Sequence, residues 1–110
     1  MLGDETRYKL MRLLEAHPGM SQRDMARELG ISLGMVNFCV RALIRKGWVK
    51  AIRFTNRRNK AAYMYLLTPR GVEEKASLAV DFLRVKTREY EMLSAEIEQV
   101  RREVESGPGA

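Results

Sequence analysis

The chain has 110 residues, of which 45% are hydrophobic, a formal net charge of +6 and one cysteine. This length fits one domain with a modest core, and a single cysteine excludes an internal disulfide, which favours a reducing, cytoplasmic environment. No stretch approaches about eighteen consecutive apolar residues, so we expect no transmembrane helix, no signal peptide and no membrane partner.

The charge is distributed unevenly along the chain. Residues 1–70 hold fourteen Lys and Arg against five Asp and Glu, whereas residues 71–110 hold six against nine. A basic first part is typical of a protein that binds a polyanion such as nucleic acid. The alternative interpretation is a solvated basic surface that binds nothing.

Three helices are predicted in the first half of the chain. The first covers Asp4 to Ala16 and ends at His17-Pro18-Gly19, because a proline disfavours the helical conformation in the residue before it. Ser21 is a suitable N-cap for the second helix, which Gly30 ends in a left-handed turn. Ser32 caps the third helix, which runs to about Lys46 and stops at Gly47. This spacing predicts a helix-turn-helix.

Two strands and a long helix complete the predicted elements. Trp48 to Phe54 and Ala62 to Leu67 are rich in aromatic and branched residues and are predicted to be strands around a basic loop. Thr68-Pro69 is a typical helix start, and no helix breaker follows before Gly107.

The predicted fold class is mainly α with a small β-hairpin wing (α+β), a winged helix-turn-helix followed by a long C-terminal dimerisation helix. The expected organisation is a DNA-binding domain at 1–68, a long helix at 69–105 and a disordered tail at 106–110.

Apolar residues of the last helix follow a heptad repeat, although Lys86 interrupts it near its start. A helix of this length is too long to pack on a small domain over its whole length, which favours a coiled-coil seam between two copies. The alternative is an amphipathic helix packed on its own domain. The residues predicted to form the dimer seam are Leu83, Tyr90, Leu93, Ile97, Val100 and Val104.

The third helix is predicted to read DNA, since the second helix of a helix-turn-helix enters the major groove. Its residues Val36, Val40 and Leu43 have the spacing of a buried face. The residues on the opposite face, predicted to contact bases, are Leu33, Gly34, Asn37, Phe38 and Arg41. Asn37 suits adenine and Arg41 suits guanine or a phosphate. Phe38 is interpreted either as a contact to a thymine methyl group or as a half-buried residue at the helix edge.

Other polar residues are predicted to contact the DNA backbone or the minor groove. The backbone candidates are Ser21, Gln22, Arg23, Arg27, Ser32 and Arg45. The wing candidates are Asn56, Arg57, Arg58 and Lys60, whose cations could enter a narrow minor groove. The alternative for the wing is a solvated hairpin tip.

Four motifs carry a family resemblance: SQRDMARELGIS, MVNFCVRALIRKGWVK, the NRR of the wing and LLTPRG. From Tyr8 to Gly71 the chain resembles the MarR-type winged-helix transcription regulators. The pattern NKxxYxYxLTPxG with the helix after it is similar to the small exopolysaccharide (EPS)-associated branch. The resemblance implies a homodimer that binds double-stranded DNA at a pseudo-palindromic operator, usually as a repressor.

The chain also departs from this family. Asn56 stands where the wing usually has an aspartate, and the segment from Arg58 to Thr68 is longer than usual. The usual N-terminal helix of the dimerisation domain is missing or very short. The effector pocket that many members build against that domain is therefore not implied, and a small-molecule effector stays an open question.

Enzymatic activity is not expected. His17 lies in a turn, and no nucleophile with a base, metal-ligand cluster or phosphate-binding glycine loop appears, so neither cofactor nor metal is predicted. Cys39 lies mid-helix without a second cysteine, which disfavours a redox sensor. The alternatives to a sequence-specific regulator are a winged-helix protein–protein docking module and a nonspecific nucleic-acid binder.

Overall fold

The computed structural model of the chain describes residues 3–54 and 62–108. The elements in chain order are α1 (Asp4–Ala16), α2 (Gln22–Leu29), α3 (Leu33–Arg45), β1 (Val49–Phe54), β2 (Ala62–Leu67) and α4 (Pro69–Ser106). The predicted fold class, helices with a small β-hairpin and a long C-terminal helix, is confirmed. The chain divides into two compact units, Met1–Ala79 and Val80–Ala110.

Serine side chains begin both helices of the helix-turn-helix, as the sequence predicts. The Ser21 hydroxyl accepts a hydrogen bond from the Asp24 N–H at 3.1 Å, and the Ser32 hydroxyl accepts one from the Met35 N–H at 3.0 Å. Between the helices, Gly30 has φ 66°, a left-handed conformation that glycine adopts without steric cost. The two serine caps and the left-handed glycine together determine the turn that orients α3 relative to α2.

The hairpin is a two-stranded antiparallel sheet. Val49 lies opposite Leu67 and Ile52 opposite Met64. The first strand begins at Val49 rather than at the predicted Trp48, because the Trp48 N–H donates back to the carbonyl of Leu43 at the end of α3. The loop predicted between the strands at residues 55–60 lies outside the described residues.

The core lies in the first unit, where α1, α2, α3 and the hairpin meet. The predicted inward face of α3 is confirmed, since Val36, Val40 and Leu43 are all buried. Fully burying such a side chain contributes about 1.5–3 kcal/mol. The buried hydrophobic residues are Leu10, Met11, Leu14, Met25, Ala26, Val36, Cys39, Val40, Leu43, Val49 and Tyr65.

The start of α4 is pressed against the start of the hairpin. The Thr68 hydroxyl accepts from the Gly71 N–H at 3.0 Å and donates to the Gly47 carbonyl at 2.5 Å. The Thr68 N–H donates to the Trp48 carbonyl at 3.0 Å. A Cβ atom on the buried Gly71 would lie 1.9 Å from the same Trp48 oxygen, so only glycine fits there. An ion pair between Lys75 and Glu15 joins this end of α4 to α1.

The second unit is the remainder of α4. None of the residues 80–106 is buried, and all of its large apolar side chains except the half-buried Phe82 are exposed. Exposed ion pairs such as Lys86–Glu89, at 3.1 Å, each stabilise a helix by a few tenths of a kcal/mol at most, on the order of 0.2–0.5. Within residues 3–54 and 62–108, no helix combines the length and the apolar character needed to cross a membrane.

Candidate nucleic-acid interface

The exposed face of α3 gathers all five residues predicted to contact bases. Helical periodicity places them opposite the buried Val36, Val40 and Leu43, and each is exposed. Phe38 has 58% of its surface exposed, so the interpretation that leaves its ring accessible fits the structure better than the half-buried one. The five residues of this reading face are Leu33, Gly34, Asn37, Phe38 and Arg41.

Gly34 has no packing reason to be glycine in this chain. A Cβ atom there would meet only the Ser32 hydroxyl, at 4.0 Å, and would otherwise point into open space. Glycine in a helix is less favourable than alanine by about 1 kcal/mol. Nothing among the described residues offsets that cost, and the missing side chain leaves the start of α3 open to close approach by another molecule.

A chain of hydrogen bonds links the reading face to the hairpin. The Asn37 side-chain amide donates from Nδ2 to Oε1 of Gln22 at 3.2 Å. The Gln22 amide in turn donates from Nε2 to the Tyr65 hydroxyl at 3.0 Å. Two predicted DNA-contacting residues therefore contact each other, and both depend on a tyrosine that the sequence did not indicate as functional.

An open groove of about 460 Å³ lies beside this chain, between α3 and the hairpin. Its walls combine the polar amides with a cation and aromatic rings. The rings of Tyr63 and Tyr65 stack with centroids 6.3 Å apart. The lining residues are Gln22, Asn37, Val40, Arg41, Ile44, Ala51, Tyr63 and Tyr65.

Four of the six predicted backbone contacts lie at the two helix starts, namely Ser21, Gln22, Arg23 and Ser32. Arg27 lies in the last turn of α2, and Arg45 lies in the last turn of α3. Ser21 and Ser32 accept hydrogen bonds from their own helices, which leaves each hydroxyl proton available to an acceptor such as a phosphate oxygen. Arg23 is exposed, and Arg27 is exposed but forms an ion pair with Asp24 at 3.5 Å. Arg45 is exposed in the last turn of α3, away from the two caps.

The four wing candidates, Asn56, Arg57, Arg58 and Lys60, lie outside the described residues. On the described part of the hairpin, Lys50 and Arg53 are exposed cations on β1 that the sequence analysis did not select. The available signal was their positive charge in a predicted strand next to the basic loop. They add two positive charges to the described part of the hairpin, on opposite faces of β1 because they are three residues apart.

Cys39 is buried in the core and not on the reading face. Burial raises the pKa of its thiol, an effect that the positive charge of Arg7 partly opposes. The thiolate is the form that reacts with oxidants, so the raised pKa agrees with the interpretation that this cysteine is a core residue. His17 is exposed in the turn after α1, and the described residues contain no group of side chains that could hold a metal ion.

Comparison with known proteins identifies the fold. Residues 3–50 match the family model for winged helix-turn-helix DNA-binding domains. The PcaV transcriptional regulator of Streptomyces coelicolor, in complex with its natural ligand, is similar with 19% identity and a TM-score of 0.67 over 97% of this chain and 77% of that one. No curated protein sequence matches the chain significantly.

Two further solved structures share the fold. The Mycobacterium tuberculosis MarR family protein Rv2887, in complex with p-aminosalicylic acid, has 20% identity and a TM-score of 0.64 over 92% of this chain and 75% of that one. A mutant of MepR from S. aureus, bound to an oligodeoxyribonucleotide, has 19% identity and a TM-score of 0.57 over 90% of this chain and 78% of that one. These likenesses confirm the MarR-type winged helix as a fold, whereas the exopolysaccharide-associated branch stays a prediction.

Proposed function

We propose that this chain, a winged helix-turn-helix protein with the fold of MarR-family regulators, is a transcription regulator that binds double-stranded DNA at specific sequences and has no enzymatic activity. The observation that carries the proposal is the reading face of α3. It presents an amide, a guanidinium and an aromatic ring on one exposed surface of a helix whose fold relatives include a regulator bound to DNA. These are the groups that distinguish base pairs in the major groove.

In this proposal α3 enters the major groove by its N-terminal half. Asn37 contacts adenine, Arg41 contacts guanine or a phosphate, and Phe38 contacts a thymine methyl group. Ser21, Gln22, Arg23, Arg27, Ser32 and Arg45 contact the backbone and fix the position of the protein on the duplex. The wing, including Arg57 and Arg58, enters the adjoining minor groove, where narrow A·T tracts attract arginine.

We further propose that the protein acts as a homodimer and represses transcription by occupying a pseudo-palindromic operator. The support is the row of apolar residues along α4, which bear the predicted heptad spacing and are each about half exposed or more. Such a continuous apolar row is typical of an interaction surface. Two reading helices would then contact half-sites about 34–36 Å apart, one turn of DNA.

The direct test is selection of binding sequences from random duplex DNA by the purified protein at about 150 mM salt, where nonspecific binding is weak. An enriched inverted repeat with half-sites about one helical turn apart would support the proposal and identify the operator. Weak binding without enrichment would contradict sequence-specific regulation.

A second candidate is protein docking through the same surface. The exposed Phe38 beside cations is the observation that favours it, because an aromatic side chain rimmed by arginine is also typical of protein interfaces. The selection separates the two candidates, since a docking module enriches no DNA sequence.

The substitution Gly34→Ala is expected to separate stability from DNA binding. It should raise the free energy of unfolding by up to about 1 kcal/mol, because alanine is the better helix former and its methyl group meets open space. It should weaken operator binding by on the order of tenfold, equivalent to about 1.4 kcal/mol, because the methyl group would hold the helix away from the bases. Urea unfolding and fluorescence anisotropy measure the two effects. An unchanged affinity would show that Gly34 does not lie close to DNA in the complex.

Replacing both wing arginines, Arg57→Ala with Arg58→Ala, should weaken binding to all DNA sequences. Because each phosphate contact contributes about 0.9 to the slope of log affinity against log salt, the slope should become shallower by up to about two. Lys9→Ala with Arg12→Ala is the matched control, since it removes the same charge from exposed positions of α1 where no DNA contact is predicted. If the wing variant kept the wild-type slope, the wing would not contact DNA.

A further inference from the structure

We infer that Tyr65 and Gln22 are positioning residues for Asn37, so that the hairpin helps to determine which base the recognition helix reads. This inference rests on the proposed function, because it concerns how the same DNA-binding face acquires its base preference. It adds a specificity determinant on β2, an element that a helix-turn-helix is not expected to use for reading major-groove bases.

The tyrosine is firmly anchored at the inner end of the hydrogen-bonded chain. Tyr65 is only 8% exposed and belongs to the hydrophobic core. Its backbone N–H donates to the Pro18 carbonyl at 3.0 Å, and its ring stacks on Tyr63 with an angle of 22° between the planes. The hydroxyl therefore has a fixed position, set by packing rather than by the side chains it bonds.

One side chain, that of Gln22, connects the fixed Tyr65 hydroxyl to the reading face. Gln22 is half-buried at the first position of α2, and its amide spans the distance between the Tyr65 hydroxyl and Asn37. Its two bonds, 3.0 Å to the hydroxyl and 3.2 Å from Asn37, occupy both ends of the amide. Gln22 can then no longer rotate without breaking one of them.

The orientation of the Asn37 amide matters because an asparagine side chain recognises adenine with both the oxygen and the nitrogen of its amide group. The carboxamide oxygen must accept from the adenine amino group while the NH₂ group donates to N7. The terminal torsion of an asparagine has two broad orientations related by a half turn, and only one of them presents this pattern at a given base. With Nδ2 donating one proton to Gln22, the second proton and the oxygen Oδ1 keep a defined direction towards the groove.

A purely architectural role for the same bonds makes a different prediction. If they only held α2, α3 and the hairpin together, their loss would lower stability and weaken binding to every sequence alike. If they position Asn37, their loss changes the preference at one base pair of each half-site. Base preference at that position is therefore the decisive readout.

Tyr65→Phe is the informative variant, because it keeps the ring and the core packing and removes only the hydroxyl. We expect the random-DNA selection to return the wild-type motif, except that one position (one column of the motif) becomes less selective, or broadened. The preference for adenine at that position should fall by roughly three- to tenfold, the effect of losing one hydrogen bond. The broadened column should be the one that Asn37→Ala also broadens. Gln22→Ala should broaden the same column, and Tyr65→Phe should add nothing in the Asn37→Ala background.

Tyr63→Phe is the matched control, since it removes a hydroxyl from the same strand at a residue that is half exposed. It should leave the motif unchanged, and thermal unfolding of each variant reports whether it is folded. A motif unaltered by Tyr65→Phe, or broadened equally in all columns, would overturn the positioning role and leave the regulator proposal standing. A wild-type protein that enriches no sequence would overturn the proposed function itself.

Discussion

Ile97→Asp is expected to turn the protein into a monomer and to abolish high-affinity operator binding. Ile97 lies in the middle of the apolar row on α4, with Leu93 four residues before it and Val100 three residues after it. In a dimer the substitution would bring a carboxylate from each copy into an apolar contact, and an unpaired charge there costs several kcal/mol, on the order of 3–5. None of the predicted seam residues carries a positive charge that could pair with the carboxylate.

The loss of DNA binding follows from the loss of the dimer. When two reading helices are joined, the second half-site is bound at a high effective concentration, so that the pair binds about 10²–10⁴ times more tightly than one head. Sedimentation equilibrium gives the oligomeric state, and a gel-shift titration with the selected operator gives the affinity. We expect both to change together in this variant.

Ala95→Asp is the matched control, because it adds the same charge to the same helix at an exposed position outside the seam. It should remain a dimer and keep its operator affinity. Should the Ile97 variant still sediment as a dimer, the heptad assignment on α4 would be wrong.

Gly71→Ala is expected to destabilise the fold by about 2–4 kcal/mol, the range of a severe overpacking at a fixed site. The added Cβ atom would lie 1.9 Å from the Trp48 carbonyl oxygen and 2.9 Å from its carbon. These are backbone atoms, and the oxygen already accepts a hydrogen bond from the Thr68 N–H at 3.0 Å. Neither backbone segment can move away without breaking this hydrogen bond, which holds the hairpin against α4.

Thermal and urea unfolding measure this effect. For a domain of this size each kcal/mol corresponds to about 4–8 °C, so we expect the midpoint to fall by about 10 °C or more. Gly34→Ala serves as the matched substitution, since it is also a glycine in the first turn of a helix but has open space around it. Wild-type stability of the Gly71 variant would contradict the close approach seen between Trp48 and Gly71.

The sequence was sufficient to predict most element boundaries, because their signals are local. Ser21 and Ser32 cap their own helices, and Gly30 ends α2 in a left-handed turn. The predicted bounds of α1 and β2 agree with the structure for the same reason, since proline and threonine beside them define the ends.

What the sequence could not predict depends on contacts between distant residues. The bond between Gln22 and Tyr65 joins residues 43 positions apart, and nothing in either local pattern indicates it. The approach of Gly71 to Trp48 is likewise invisible until the hairpin is folded. Trp48 itself was assigned to a strand by its aromatic character, whereas its backbone completes the end of α3.

For the candidate site, too, the sequence predicted what depends on local pattern and did not predict contacts between distant residues. Helical periodicity predicted which face of α3 is exposed, because the inward positions are fixed by the core. Contact with DNA stays a prediction for each of these residues, as does the role of the wing, and periodicity does not reveal how a side chain on the face is held. The amide chain from Tyr65 to Asn37 is a property of the folded protein only.

No residue between positions 80 and 106 of α4 is buried. If this segment pairs with a second copy as proposed, the concentration of the protein should affect its lifetime. Most of the stability of a helix in a protein comes from packing of its apolar face rather than from its own side chains. Under the proposed assembly this packing is supplied by the second copy, so the protein concentration determines how stably the segment is folded. Below the dissociation constant of the dimer, the segment would open more often and become a substrate for proteases. Diluting the protein would then also shorten its half-life. Under the proposed function, DNA occupancy would fall more steeply than dilution alone predicts.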